Sequence, residues 1–510
     1  YPLDDVRRSV QALGGMVHGT IESLHGLVIE IPPSSLSPLT QGPGVRWIEP
    51  ALPAWQATND ESRGSIGVDE IYGSPWFLDG TGVELGMIEI GQPDPNHADL
   101  SGRITGFCGA DGHATHVAGT LIGDGSESGG TYRGIAPNAT LQSRCISFDG
   151  SGVIFFADPS SLETAYTTML LTGTPSAVNQ SMGINIAANG YDCALMGDYG
   201  VTSALMDEVV RGSLGQPLSS VWSAGNERGF SVCDGDYGTV SPPACAKNII
   251  TVGAVYSDSL TVTSFSGFGP TDDGRIKPDV VAAGGQLTVD GGITSCKSGG
   301  GYEVRSGTSM SAPVVTGVIG LMRQAWDEVS PAGATPPLPS TMRGLLCHTA
   351  LDLGEPGPDY RTGWGLVDAE MAAEAVLFTQ WTEGSIGPSE ARVFSIERGS
   401  DQAGTPLRIS LAWDDPASFP GEVVGLINDL DLLLRSPSGV VYRPWTLDPL
   451  QPEAAAVRTG VDDLNTFEQV LVDQAEAGVW DIVVLSPSDL DGVQSFSLLG
   501  VGENAGSQTF

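Results

Sequence analysis

Between residues 57 and 377 short apolar runs alternate with segments of helical pattern, and that alternation limits the folds open to the chain. Residues 83–90, 140–146, 177–181, 219–223 and 249–255 read as strands, and helices are expected near His113, Leu162, Ser203 and Met310. Strand and helix in alternation predict an α/β fold, a doubly wound parallel sheet with helices on both faces. Such sheets place their sites at the carboxyl ends of the strands. Glu89 and Asn226 each follow the end of an apolar strand.

The flanks differ from this middle. The 510 residues suggest about three domains, and we draw them at 1–57, 58–380 and 381–510. The first reads as helix 4–13, two strands within 16–31 around Leu24-His25-Gly26, a short helix 34–39 and a strand 45–49. The chain starts with Tyr1, not Met, so removal of a preceding segment is expected. The last domain is a series of short segments, 392–396, 407–413, 429–434, 440–442, 467–472 and 478–485, separated by Pro, Gly and Asp turns. That pattern predicts a β-sandwich or jelly roll.

Sixty-one acidic residues against 23 basic ones give a net charge of -38. This argues against nucleic acid or an anionic membrane as partner. The charge, with only Lys247, Lys277 and Lys297 as lysines, suits a salty extracellular setting or calcium loading, and equally a solvated surface that prevents association. We expect a monomer. Seven cysteines do not make a disulfide scaffold, and no Cys-x-x-Cys occurs. Cys233 and Cys245 bracket a short Gly/Pro-rich loop, and a bridge is expected there. The spacings of the other five dictate no partners. No run of 18 apolar residues predicts a membrane-spanning helix.

The chemistry centres on Gly307-Thr308-Ser309-Met310-Ser311-Ala312-Pro313, which places a hydroxyl at a tight turn running into an apolar helix. Gly307 lets the backbone approach a substrate closely, and Pro313 is expected in the first helical turn. Ser309 would then sit at the positive helix end, where developing negative charge is favoured. A serine nucleophile needs a base, and the base an orienting carboxylate. His113-Ala114-Thr115-His116-Val117-Ala118-Gly119-Thr120 supplies the first, and the strand ending at Glu89 supplies the second.

At these residues the chain resembles the subtilisin-like serine proteases (subtilases). Family members carry Gly-Thr-Ser-Met-Ala-x-Pro, His-Gly-Thr-His-Val-Ala-Gly and an apolar strand ending in Asp, in the order acid, His, Ser. They also carry Ala-Gly-Asn, here Ala224-Gly225-Asn226, and a run toward the nucleophile like the one from Ser264 to Ala282. The first domain resembles most of a subtilase pro-domain, an α+β template and inhibitor of its own enzyme, with one strand missing; a permanently attached subdomain is the other reading. Asn428-Asp429-Leu430-Asp431-Leu432 with Ser436-Pro437-Ser438-Gly439 resembles the C-terminal β-domain of certain bacterial alkaline subtilases.

The resemblance implies a secreted, extracellular endopeptidase acting on protein or peptide substrates, made as a zymogen, with no cofactor in the chemistry. Ser309 would attack, His113 would act as general base and acid, Glu89 would orient His113, and Asn226 with the Ser309 N–H would hold the oxyanion. Gly150-Ser151-Gly152 and Ser181-Met182-Gly183 match the two substrate-lining segments; either tripeptide alone is ordinary turn chemistry. His116 is expected to pack, and Glu227 either faces the first pocket or points to solvent.

Two positions depart from the family, Glu89 for Asp and Ala114 for Gly. The extra methylene of Glu89 needs room, which Ala114 would create by displacing its helix. Asp94 or Asp99 is the alternative carboxylate. Structural calcium is an open expectation without a ligand set: acidic loops occur at Asp234-Asp236, Asp272-Asp273, Asp462-Asp463 and Asp489-Asp491, and Asp429 and Asp431 share a strand face. A weakened subtilase fold kept for binding, or a transpeptidase or macrocyclase, remain as other readings.

Overall fold

The computed structural model describes residues 2–21, 26–45, 48, 60–106, 108–146, 159–183, 193–230, 235–288, 291–420, 425–501 and 506–509. It falls into two compact units, Tyr1–Gln56 and Ala57–Phe510. In the first, helix Leu3–Ala12 carries Asp4 and Asp5 in its opening turn, where negative charge meets the positive helix end. Strands β1 (Met16–Ile21) and β2 (Gly26–Glu30) pair antiparallel. Helix Pro33–Thr40 begins with proline at a position that needs no N–H donor. Most of the strand expected at 45–49 lies outside the described residues.

In the second unit, strands β3 (Glu84–Glu89), β4 (Ile104–Thr105), β5 (Thr140–Cys145), β6 (Ala177–Gln180), β7 (Ser219–Ser223), β8 (Ile250–Tyr256) and β9 (Val280–Gly285) form one sheet. Its order is β4-β5-β3-β6-β7-β8-β9, and every pairing is parallel. The chain leaves β3 toward one edge, then returns to build from β6 toward the other. The switch point therefore lies beside β3. Both faces are covered, so successive side chains enter different cores. Leu85 and Met87 join one core and Ile88 the other, as Val221 and Trp222 also divide.

The 22-residue helix Thr308–Val329 is buried along most of its length and crosses β6, β7, β8 and β9. Helix Gly112–Ile122 packs against it and against β10 (Ile293–Cys296), which pairs with β11 (Tyr302–Arg305). On the opposite face Leu162, Tyr166 and Met169 of Pro159–Thr172 meet Met206, Val209 and Val210 of Val201–Arg211. The short strand β4, the hairpin β10–β11, and helices Pro339–Thr349 and Ala369–Leu377 were not read from the sequence. β4 has two residues and β10 and β11 four each, too short for a periodic pattern, whereas the helices do carry start signals that were missed: Pro339 opens the first, and Asp368 caps the second with Glu370 in its first turn.

The expected sandwich is present. Four strands, β12 (Trp381–Ile386), β19 (Gln494–Leu499), β14 (Leu407–Trp413) and β17 (Phe467–Val472), form one sheet in that order. Five others, β16 (Val441–Tyr442), β15 (Asp431–Arg435), β18 (Gly478–Leu485), β13 (Ala391–Arg398) and β20 (Gly506–Thr509), form the second. Trp480, Ile482 and Val484 alternate inward from β18 to meet Ile409, Leu411 and Trp413 from β14. Ala412, Phe467 and Leu499 instead join the core of the α/β sheet. Lys247 is fully enclosed where the two meet: its Nζ donates to Asp415 (2.6 Å), Ser418 (2.7 Å) and the carbonyl of Gly425 (2.8 Å).

The disulfides correct one expectation. Cys245 is a free, buried thiol whose Sγ lies 3.5 Å from the carbonyl of Val240, so it does not bridge to Cys233, which lies outside the described residues. Burial pushes its pKa up to about 12. Cys108 and Cys145 form a disulfide instead, and Cys193 is also disulfide-bonded.

Candidate active site

Glu89 ends β3 and is 1% exposed. The chain beyond it is laced to the start of the next helix: Gln92 N–H donates to Gly109 O (3.0 Å) and Asp111 N–H to Gln92 O (2.8 Å). Gly91 permits this approach, since a Cβ there would sit 2.3 Å from Asp111 Cβ. Asp111 caps helix Gly112–Ile122 by accepting from Ala114 N–H at 2.9 Å. His113, in the first turn, thus faces the strand end, and its Nδ1 lies 3.3 Å from Glu89 Oε2. The other Glu89 oxygen accepts from Ser181 N–H at 2.8 Å. Glu89 has room after all.

Burial pulls the His113 pKa down, but the Glu89 hydrogen bond and charge outweigh it, helped by Asp111 and opposed by Arg305. The net result is a pKa above the ordinary 6.5. Nδ1 is the nitrogen that faces the carboxylate, which leaves Nε2 as the acceptor turned to the site.

Ser309 is the second residue of helix Thr308–Val329. Its Oγ donates to the carbonyl of Ser181 at 3.1 Å, and no hydrogen bond joins it to His113 in this state. Pro313 lies deeper than expected, in the second turn. A proline there has no N–H for the carbonyl four residues back, which is that of Ser309. That carbonyl accepts from Ser181 Oγ instead, at 2.9 Å, and Asn179 Nδ2 donates to the same hydroxyl at 3.0 Å. Ser181 therefore holds the backbone of the serine and the carboxylate of Glu89 together. We expected it only as a substrate-lining residue.

Asn226 follows β7. Its Oδ1 accepts from Thr308 N–H (2.9 Å) and Thr308 Oγ (3.1 Å). Two donors on one side fix the amide orientation, so Nδ2 faces away from Thr308. Gly307 has φ +153°, and a Cβ on it would lie 3.4 Å from that Nδ2. Absence of a side chain keeps the approach to the amide open.

The remaining candidates divide. Asp94 accepts from Asn96 N–H (3.0 Å) and Gly299 N–H (2.8 Å), and Asp99 from Ser126, Glu127 N–H and Tyr302. Neither carboxylate turns to His113. Buried His116 sits 2.9 Å from Ile293 O, and burial brings its pKa to about 3, as suits a packing residue. Glu227 does not point to solvent: it is 7% exposed, burial raises its pKa, and its Oε2 has no hydrogen-bond partner. Met182 and Gly183 adjoin Ser181, whereas Gly150, Ser151 and Gly152 lie outside the described residues. The cap at Asp111 was missed, although Asp before a helical run is a start signal.

A parallel sheet that brings a serine, an imidazole, a carboxylate and a fixed amide to its switch point has the layout of a serine hydrolase. Comparison with known proteins specifies it: the Subtilase family matches residues 94–365, over half the chain, and the protein belongs to that family. It is 30% identical over 288 residues to the serine protease AprX of Bacillus subtilis, covering 50% of this chain and 60% of the relative. It is 29% identical over 359 residues to alkaline serine exoprotease A of Vibrio alginolyticus, covering 64% and 58%. The chain thus spans about three fifths of the length of these relatives. Other relatives include an extracellular proteinase of a Thermus strain and an intracellular protease of Paenibacillus polymyxa. Among solved structures, the self-cleaved protease domain of PatA is similar at 24% identity and TM-score 0.45, over 59% of this chain and 98% of that one.

Proposed function

We propose that the protein is a serine endopeptidase whose acyl-enzyme forms on Ser309. The observation that carries this reading is the contact of a buried glutamate with the first-turn histidine, Glu89 Oε2 to His113 Nδ1 at 3.3 Å. Glu89 fixes the tautomer and offsets the charge on the imidazole. In the reaction Ser309 Oγ rotates from Ser181 O to His113 Nε2, gives up its proton, and attacks the peptide carbonyl. The oxyanion is held by Asn226 Nδ2 and the Ser309 N–H at the positive helix end. His113 then returns the proton to the leaving amine, and water repeats the sequence on the ester.

Substrate pairs as an extended strand along the segments at Gly150 to Gly152 and Ser181 to Gly183. Secretion, a zymogen stage with residues 1–57 as an intramolecular chaperone and inhibitor, and the boundaries 58–380 and 381–510 are parts of the same proposal. The resting bond from Ser309 to Ser181 favours one second reading, a detuned protease fold used for binding.

Labelling with a fluorophosphonate probe separates the two. Stoichiometric labelling that disappears in Ser309→Ala and falls in Glu89→Ala supports an active peptidase oriented by glutamate. Labelling that occurs only after Glu89→Asp supports the binding protein.

A further inference from the structure

Among the described residues, one group of His, Cys, Asp and Glu side chains brings three ligand atoms within 4.8 Å of one another: His97, Asp99 and Cys296. None of them belongs to the proposed catalytic residues. His97 and Asp99 lie on the turn that follows β3, where His97 precedes the 3₁₀ segment Ala98–Leu100, and Cys296 ends β10. All three are at most 1% exposed. They lie one layer below the surface, since Gly301 and Tyr302 of the same hairpin are half-buried and Glu127 is exposed.

The protons of this group are arranged for a ligand. His97 Nε2 lies 2.8 Å from the carbonyl of Gly301. A carbonyl only accepts, so Nε2 carries the ring proton and Nδ1 the lone pair. An outer carbonyl that fixes the tautomer in this way is the usual companion of a metal-bound histidine. Nδ1 accepts from Asp99 N–H at 3.2 Å, the long end of such bonds. Asp99 Oδ1 accepts from Ser126 Oγ (3.1 Å) and Glu127 N–H (2.8 Å). Its Oδ2 accepts from Tyr302 Oη at 2.6 Å and has the Cys296 sulfur at 3.9 Å, a long contact for a weak S–H donor. Asp99, Asp124 and Glu127 surround that sulfur with negative charge. Arg103 is the facing cation, and its guanidinium is spent on the carbonyls of Ile122 and Pro137, at 2.7 Å each, and of Asp99.

We infer that His97, Asp99 and Cys296 form a zinc site that clasps the turn after β3 to the hairpin β10–β11. Nitrogen, oxygen and sulfur together suit Zn²⁺, whereas Ca²⁺ and Mg²⁺ take oxygen ligands. Bonds of about 2.0–2.3 Å set tetrahedral ligand atoms about 3.3–3.5 Å apart. The sulfur and Asp99 Oδ2, at 3.9 Å, therefore need to close by only about 0.4 Å. Zn²⁺ displaces the Cys296 proton to solvent and takes the Nδ1 lone pair from Asp99 N–H, and water or Tyr302 Oη completes the tetrahedron. The site lies under the helix of His113: a Cβ on Gly119 would stand 2.7 Å from Cys296 Sγ, and Ser295 Oγ donates to His116 O at 2.9 Å. Its role is structural, holding the hairpin that leads through β11 to Ser309.

The test uses the untagged full chain as Ser309→Ala, to prevent self-digestion, freed of metal with EDTA and kept without reductant so that its disulfides stay closed. Co²⁺ and then Zn²⁺ are titrated, with absorption, calorimetry and thermal melting as readouts. We expect one Co²⁺ per chain with a thiolate-to-cobalt charge-transfer band, displacement of that band by Zn²⁺ but not by excess Ca²⁺, and a zinc-dependent rise in Tm. Cys296→Ser should abolish the band and weaken zinc by more than about 100-fold, beyond the loss from an outer partner alone. Cys245→Ser and Cys347→Ser, at the other free thiols, should keep both. If Cys296→Ser does not fold, Tyr302→Phe, which removes the hydroxyl on Asp99, should keep the band and weaken zinc about 10- to 100-fold. These readouts need no peptidase activity, so the outcome is independent of the proposed reaction. Zinc bound unchanged in Cys296→Ser or, failing that, in Tyr302→Phe, a cobalt spectrum with no thiolate band, or no uptake at all would overturn the site and leave a neutral hydrogen-bonded cluster.

Discussion

Glu89 and Glu468 are both buried glutamates on β-strands, yet their surroundings give them opposite character. Both Glu89 oxygens have partners, the imidazole of His113 and the N–H of Ser181, and its charge is used. Glu468 has one N–H for two oxygens, and its neighbours are carboxylates. The difference shows that burial alone does not set the character of a carboxylate. The donors that the fold brings to it decide.

Changes on the Glu89 side should act on rate, and those on the Glu468 side on stability. The largest effect is expected from Ser309→Ala, a loss of about 10⁶-fold in kcat, the size known for subtilisin, a relative. A peptide-hydrolysis assay reads it. Glu89→Gln should lower kcat by about 10⁴-fold, because the imidazole loses its tautomer; a loss under tenfold would mean that Glu89 does not orient His113. Asn226→Ala should cost about 10²–10³-fold in kcat, again the magnitude of subtilisin itself, with KM little changed.

The pH profile sharpens the contrast further. The base must be neutral, and Glu89 raises the His113 pKa, so kcat should rise with pH through a limb above 6.5. Removing Glu89 should move that limb down in pH. The smallest effect concerns Ala114. If Glu89 and Ala114 compensate, Glu89→Asp with Ala114→Gly should be more active than the two single changes predict, by a coupling of about 1 kcal/mol. Strict additivity would dismiss the compensation.

Much of the fold was legible because its signals are local. The apolar runs at 83–90 and 219–223, and the helical pattern after Met310, survive as β3, β7 and a buried helix. The jelly-roll segments were visible for the same reason, through turns and alternation. β4, with two residues, and β12 and β19, whose pairing partners lie over a hundred residues apart in the chain, gave no comparable pattern. Of the site, Ser309 and His113 were legible from motif and order, and Glu89 as one of three candidate acids. Ser181 as a tie between Glu89 and Ser309 was not, since hydrogen bonds to backbone groups leave no trace in residue type.

The sequence by itself determined the parallel sheet, the sandwich and the chemical groups at the switch point, because periodicity and turn residues act over a few neighbours. Only the tertiary structure decided which acid meets His113, that Cys108 is bridged to Cys145 while Cys245 stays a free thiol, and that Glu468 is left without a second donor. These are contacts between segments far apart in the chain. Their distances are set by how the sheet and sandwich close, which no local pattern records.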